Sequence, residues 1–232
     1  MNTTTLIQQN PVLKTMIERK SIRQFLPKPV ALDDIKAILE ASGRAPSGSN
    51  IQPWQVHVVT GKKRDELASA LVQAFNDKIP EQREYNYYPQ NWRDPYLARR
   101  RENGWGLYNT LGITKGDTAA MKTQHAQNYE FFGAPVVLFI ILDEDMEQGS
   151  WLDCGMFIQN VMIAAQALGL RTCPQAALVN YPNIVREQLG IPMDKKIVCG
   201  IALGYEDESH IVNTFQATRI GVDEFTTFHL DK

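Results

Sequence analysis

The sequence predicts an α+β fold in which a central mixed β-sheet is flanked by helices. Three observations carry that expectation. Pro135-Val-Val-Leu-Phe-Ile-Ile-Leu142 and Lys196-Ile-Val-Cys-Gly-Ile-Ala-Leu203 are continuous apolar runs, as expected of central strands covered on both faces. Between them, residues 150–170 place Phe157, Ile158, Val161, Met162, Ile163, Ala164, Ala165 and Leu168 around most of a helical circumference, so this helix is expected to be buried on nearly every side. The alternating, β-branched stretch from Gln55 to Thr60 reads as a strand, closed by Gly61 and followed by a charged helix from Lys62 to about Lys78.

The other elements follow in chain order. Met1-Asn-Thr-Thr-Thr-Leu-Ile-Gln-Gln-Asn10 lacks the basic and apolar regions of a secretory signal. Pro27 and Pro29 favour extended backbone after Arg19-Lys-Ser-Ile-Arg-Gln-Phe25. Leu32, Ile35, Ile38 and Leu39 recur at helical spacing, with Asp33 and Asp34 in the first turn and Gly43 at the end, which predicts an amphipathic helix from Ala31 to Gly43. Pro80 to about Asp117 is rich in Tyr, Trp, Arg and Asn with patchy periodicity, and reads as a partly helical lid. Gly169 ends the apolar helix. At the C-terminus, Glu224-Phe-Thr-Thr-Phe-His-Leu230 alternates like a strand that would pair with its own sheet or with a partner's.

A length of 232 residues supports one core, so residues 1–232 are expected to form a single domain with a variable lid at about 80–117. The net charge of −2 opposes recruitment of nucleic acid or anionic lipid. Cys154, Cys173 and Cys199 are odd in number and widely spaced, unlike a disulfide framework, and the chain is expected to be cytoplasmic, with no membrane span. His57, His125, His210 and His229 lack paired ligand spacing, so no metal is expected.

Two segments carry candidate chemistry. In extended backbone Arg19, Ser21 and Arg23 would point the same way and could converge on one anion, with Arg219 a further candidate; taken alone, a solvated basic surface is the better explanation of these residues. Pro46, Ser47, Gly48, Ser49 and Asn50 present small hydrogen-bonding groups before the apolar anchor Pro53-Trp54, and ordinary turn chemistry is the competing explanation. Together the segments suit a large, flat, phosphate-bearing ligand.

The chain resembles the nitroreductase family of FMN-dependent oxidoreductases. The resemblance rests on Arg19-Lys-Ser-Ile-Arg-Gln-Phe25, on Ala45-Pro-Ser-Gly-Ser-Asn-Ile-Gln-Pro-Trp54, on Phe131-Phe-Gly-Ala-Pro-Val-Val137 with Gln159-Asn160 and Ala164-Ala-Gln-Ala-Leu-Gly-Leu170, and on Gly200-Ile-Ala-Leu-Gly-Tyr205. It implies an intertwined homodimer with a C-terminal extension and FMN at the subunit interface. Arg19, Lys20, Ser21 and Arg219 would hold the phosphate and ribityl chain, and Arg23 would face the N1/O2 edge. Pro46, Ser47, Gly48, Ser49 and Asn50 would reach the opposite subunit's FMN. Pro174, Gln175, Ala176 and Ala177 would form the turn beside N5, and Asn128 would meet the pyrimidine edge. Where some relatives have an acidic residue and a glycine in that turn, this chain has Ala176 and Ala177. Where some have a second lysine before the C-terminal arginine, it has Ala217.

The implied activity is NAD(P)H-dependent reduction of nitroaromatics or other flat conjugated acceptors by a ping-pong hydride mechanism through N5, with Tyr96, Arg99, Trp105 and Tyr108 shaping the acceptor site. No Gly-x-Gly-x-x-Gly fingerprint is present, which fits a nicotinamide bound transiently in a shared pocket. The alternatives are a flavin or quinone reductase or a reductive dehalogenase of the same fold, or a non-catalytic flavin-binding protein. FMN carries the chemistry, so no catalytic side chain is expected.

Overall fold

The computed structural model describes residues 3–230; residues 1–2 and 231–232, the ends of the expected 1–232 unit, lie outside the described residues. Helices α1 (Thr3–Gln9), α2 (Pro11–Glu18) and α3 (Leu32–Ser42) precede strand β1 (Gln55–Thr60). Next come α4 (Gly61–Asn76), α5 (Tyr96–Thr110), α6 (Thr118–Ala126), β2 (Val136–Asp143), α7 (Gln148–Ala167), β3 (Arg171–Gln175), α8 (Pro182–Leu189), β4 (Lys195–Gly204) and α9 (Val222–Phe225). The strands form one sheet in the order β1-β2-β4-β3, each neighbour antiparallel. The expected mixed sheet is thus antiparallel in all four strands; among the described residues the one parallel pairing is an isolated bridge, Ser21 to Thr172, beside the β3 edge.

The period of two along β2 divides the interior. Val137, Phe139 and Ile141 enter one core with Leu67 and Leu71 of α4, Phe131 and Val185 of α8. Val136, Leu138, Ile140 and Leu142 enter the other with Ile35 and Ile38 of α3 and Phe157 and Val161 of α7. A β2 residue has helix on either side of it, which is why the strand reads as an unbroken apolar run. The β2–β4 register slips between Ile140, opposite Cys199, and Ile141, opposite Ile197, which leaves Val198 as the extra residue of a bulge.

Helix ends follow local chemistry. The Asn10 side chain accepts hydrogen bonds from the Val12 and Leu13 N–H groups at 3.0 and 3.1 Å, with Pro11 at the first helical position of α2. Beyond α7, Gly169 takes φ +76°, a left-handed conformation that glycine adopts without steric cost.

Three expectations are corrected or refined. The alternating segment 224–230 does not join the chain's own sheet among the described residues: Val222–Phe225 is helical and most of the remainder is exposed. The 80–117 segment divides in two. Its first part is pinned to the body, with Glu84 accepting from Arg186 at 2.6 Å, Glu81 accepting from Asn180 at 3.0 Å, and Tyr85 donating to the Val198 carbonyl, whereas α5 forms the helical part. Helix α7 is not enclosed on nearly every side. Leu152 is 68% exposed, and Met156, Gln159 and Ile163, which follow at helical spacing, are only half-buried.

Candidate functional site

The candidate site begins where α2 stops. The Arg19 N–H donates to the Thr15 carbonyl at 3.1 Å, after which the backbone turns extended. The chain then runs alongside β3: Ser21 bridges Thr172, and the Ile22 N–H donates to the Thr172 carbonyl at 3.1 Å. Ile22 is fully buried, so alternation turns its neighbours Ser21 and Arg23 to the opposite side. There, with Arg19 and Arg219, they line a cleft of about 640 Å³. Met16 and Ile17 of α2 and the ring of Phe215 add apolar surface, and Asn103 of α5 closes one side.

Three of the cations here lack a carboxylate. Among the described residues Arg19, Arg23 and Arg219 form no ion pair, whereas Lys20 meets Glu206 at 2.8 Å and donates to the Asn213 carbonyl at 2.6 Å. Burial, and after it the like charge of Arg219, holds the Arg19 guanidinium below its ordinary pKa. The Arg219 side chain donates to the carbonyls of Ala217 and Thr218 at 3.1 and 2.8 Å, which folds it back over its own segment. Arg23 donates from its backbone N–H to Asn213 at 2.9 Å, and its guanidinium lies 5.8 Å from the Phe215 ring centroid. A cleft with several unneutralised cations and a hydroxyl is suited to an anion.

Beneath this wall lies Cys173, whose thiol is pushed up to about 11 by burial despite the opposing influence of Arg23, Ser21 and Arg19. It is therefore a neutral packing residue at ordinary pH. Because the extended segment and β3 run the same way, Pro174, Gln175, Ala176 and Ala177 leave β3 at the Arg23 end of the cleft. The short turn Ala176–Val179 packs tightly on β4: a side chain at Gly200 would place its Cβ 2.3 Å from Leu178 Cδ1. Gln175 is buried and donates to the Asn128 carbonyl at 2.8 Å, which brings those two predicted residues together, and its own Oε1 is buried with no partner.

The second predicted segment lies elsewhere on the protomer. Pro46, Gly48, Ser49 and Asn50 are exposed and do not line the cleft. The Gly48 N–H donates to the buried Asp153 of α7 at 3.1 Å, and the Ser47 hydroxyl accepts from the Gln52 N–H at 3.0 Å. These bonds hold Ser49 and Asn50 at φ +50° and +58°, which presents their side chains outward. Pro46 sits beside Leu152, Met156 and Gln159, on the open stripe of α7.

Of the predicted acceptor residues, Trp105 and Tyr108 form an edge-on pair at 5.9 Å near the inner end of α5, and Tyr96 and Arg99 project from its outer end. None lines the cleft in the single chain; Asn103, Phe215 and Gln216, which sequence reasoning missed, do. Gly106 was the available signal. A glycine inside a helix can mark close approach; Gly104 has open space, but the face of Gly106 meets Phe215, whose Cε2 would lie 2.8 Å from an added Cβ.

A sequence model described as "Nitroreductase family" matches residues 16–205. A 4-nitrobenzoate reductase from Nocardioides sp. (strain LMS-CY) is 37% identical over 216 residues, covering 92% of this chain and 87% of the relative. Among solved structures, the FMN and NADPH-dependent nitroreductase NfnB from sphigopyxis sp. strain HMH superposes with a TM-score of 0.91 at 37% identity, covering 96% of this chain and all of that one. The FMN-dependent nitroreductase NfnB from Mycobacterium smegmatis, in complex with NADPH, superposes with a TM-score of 0.90 at 32% identity, covering 98% of this chain and 100% of that chain.

Proposed function

We propose, on the premise that this chain belongs to the nitroreductase family, that it is an FMN-dependent oxidoreductase that uses NAD(P)H to reduce nitroaromatic or related flat conjugated acceptors. The observation that carries the reading is the cleft where Arg19, Arg23 and Arg219 stand without carboxylate partners beside Ser21 and an apolar wall. Its donor set fits the group. Guanidinium and hydroxyl groups at one end suit a phosphate, apolar and aromatic surface suits a planar ring, and the unpartnered Gln175 Oε1 sits in the turn expected beside the ring's redox edge.

In this reading Arg19, Ser21 and Arg219 hold the phosphate and ribityl chain. Lys20 acts from behind, paired with Glu206, which Arg171 also meets. Arg23 serves the N1/O2 edge, where a cation favours added negative charge, and Pro174, Gln175, Ala176 and Ala177 with Asn128 border the ring. When bound, FMN would supply the redox chemistry, hydride transfer through N5 between a reduced nicotinamide and the acceptor in a ping-pong cycle. No side chain is assigned an acid or base role. Tyr96, Arg99, Trp105 and Tyr108 border the approach to the ring, where donor and acceptor take turns.

We also infer that two copies complete each site. Pro46, Ser47, Gly48, Ser49 and Asn50 face away from their own cleft, beside an open stripe on α7, and Phe225, Phe228 and Leu230 leave an exposed apolar C-terminal segment. A partner would cover both. No described helix is long and apolar enough to cross a membrane. The purified yellow protein, mixed anaerobically with NADPH, is expected to bleach within seconds and to regain colour on addition of a nitroarene. Colour untouched by NADPH and by NADH would refute the enzymatic reading.

A further inference from the structure

Beyond the cleft, four arginines without a carboxylate partner among the described residues stand close together in sequence on the lid. Among the described residues, Arg64, Arg83, Arg171 and Arg186 each meet a carboxylate, at 2.9, 2.9, 3.4 and 2.6 Å. Arg93, Arg99, Arg100 and Arg101 meet none, and their side chains make no hydrogen bond among the described residues either. Aromatic rings steady three of them instead. Arg93 and Arg99 lie 4.9 and 5.9 Å from the Tyr96 ring centroid, and Arg100 lies 4.6 Å from that of Trp92 and 5.9 Å from that of Tyr88. A guanidinium over a ring is oriented by the contact and keeps its N–H donors for another partner.

The lid is fixed to the cleft at its other end. Gly106 packs on Phe215, Thr218 donates to Glu102 at 3.0 Å, and Asn103 forms part of the cleft wall. Arg99 and Arg100 precede Asn103 by four and three residues, the spacing that brings side chains near one helical face, about 6 and 4.5 Å further along the axis. Arg101, two residues before Asn103, faces another way. In a chain of net charge −2, such a local concentration of cations is what draws an anion to this rim.

Resting on the reading of the cleft as a flavin site, the geometry points to Arg99 and Arg100 as a second anion cradle, separate from the one for the flavin phosphate. It reads the charged group of the molecules that exchange over the ring: the 2′-phosphate of a nicotinamide donor, or the carboxylate of an aromatic acid acceptor. Either anion suits a planar, forked donor, and Tyr96 and Trp92 offer rings to whatever flat group carries it.

The test uses the flavin-loaded protein and its Arg99→Gln/Arg100→Gln variant, with Arg101→Gln as the control and flavin content measured in each. Calorimetric titrations compare adenosine 2′,5′-bisphosphate with adenosine 5′-monophosphate, and benzoate with benzamide. The double variant is expected to weaken the bisphosphate, the benzoate, or both by roughly tenfold or more, the effect of losing a charge-assisted hydrogen bond. The monophosphate and benzamide should be unchanged. Loss confined to the bisphosphate identifies the donor as the source of the anion, and loss confined to benzoate identifies the acceptor. Unchanged affinity for both anions, or an equal loss in Arg101→Gln, overturns the cradle. The flavin reading fails on a different observable, a parent protein that remains colourless with excess FMN.

Discussion

Ile22 decides where the neighbouring charges point. Its burial beside Thr172 turns Ser21 and Arg23 to the other side of the backbone, so an apolar residue orients polar ones. The convergence was legible in the sequence because it needs only the period of an extended chain. What was not legible was the electrostatic balance: Lys20 and Arg19 are adjacent, yet Glu206 pairs with Lys20 and with Arg171 and not with Arg19, and Glu206 is brought there by the turn after β4. Arg19→Ala should therefore weaken FMN binding by about 1.5–3 kcal/mol, roughly ten- to a hundredfold in dissociation constant, through loss of a charge-assisted hydrogen bond. Fluorescence titration of the apoprotein with FMN measures it; equal affinity in the variant would remove Arg19 from the site.

At the scale of elements, periodicity located β1, β2, β4, α3 and α7 within a few residues, because burial on one or both faces writes itself into the apolar pattern. Alternation in 224–230 pairs with no strand of the chain's own sheet, and periodicity could not divide the 80–117 segment, whose pinning depends on Arg186, Asn180 and Val198 a hundred residues away. Gly200 shows the same limit. Nothing local marks it, yet the turn after β3 sits so close that a methyl group there would come within 2.3 Å of Leu178 Cδ1 and 3.2 Å of its Cβ. Gly200→Ala is expected to destabilise the fold by about 1–3 kcal/mol through overpacking. In urea the midpoint should fall with the slope unchanged; a midpoint equal to the parent's would mean that Leu178 yields without cost.

For the whole molecule, the two candidate segments lie apart on one protomer although they are joined by a short stretch of chain. Arg19–Arg23 form a cleft, while Pro46–Asn50 are held outward by Asp153 beside the open stripe on α7. In the proposed reading a second copy would reconcile both facts by carrying the loop to a neighbouring cleft. Ser47→Trp should then lower the flavin content of the purified protein while leaving the protomer fold intact. Absorbance per subunit, read with sedimentation velocity, checks this, and full loading in an unaltered dimer would rule out a shared site.

The amino-acid order alone determined the sheet's central strands, the helices that cover them and the residue types suited to a flat, phosphate-bearing ligand, since each depends on burial or backbone geometry over a few neighbouring positions. Only the tertiary structure decided which cations stand unneutralised, that Asn103, Phe215 and Gln216 wall the cleft, and which way the Ser47 loop faces. Those outcomes depend on contacts between residues far apart in sequence, where no local period records who the neighbour is.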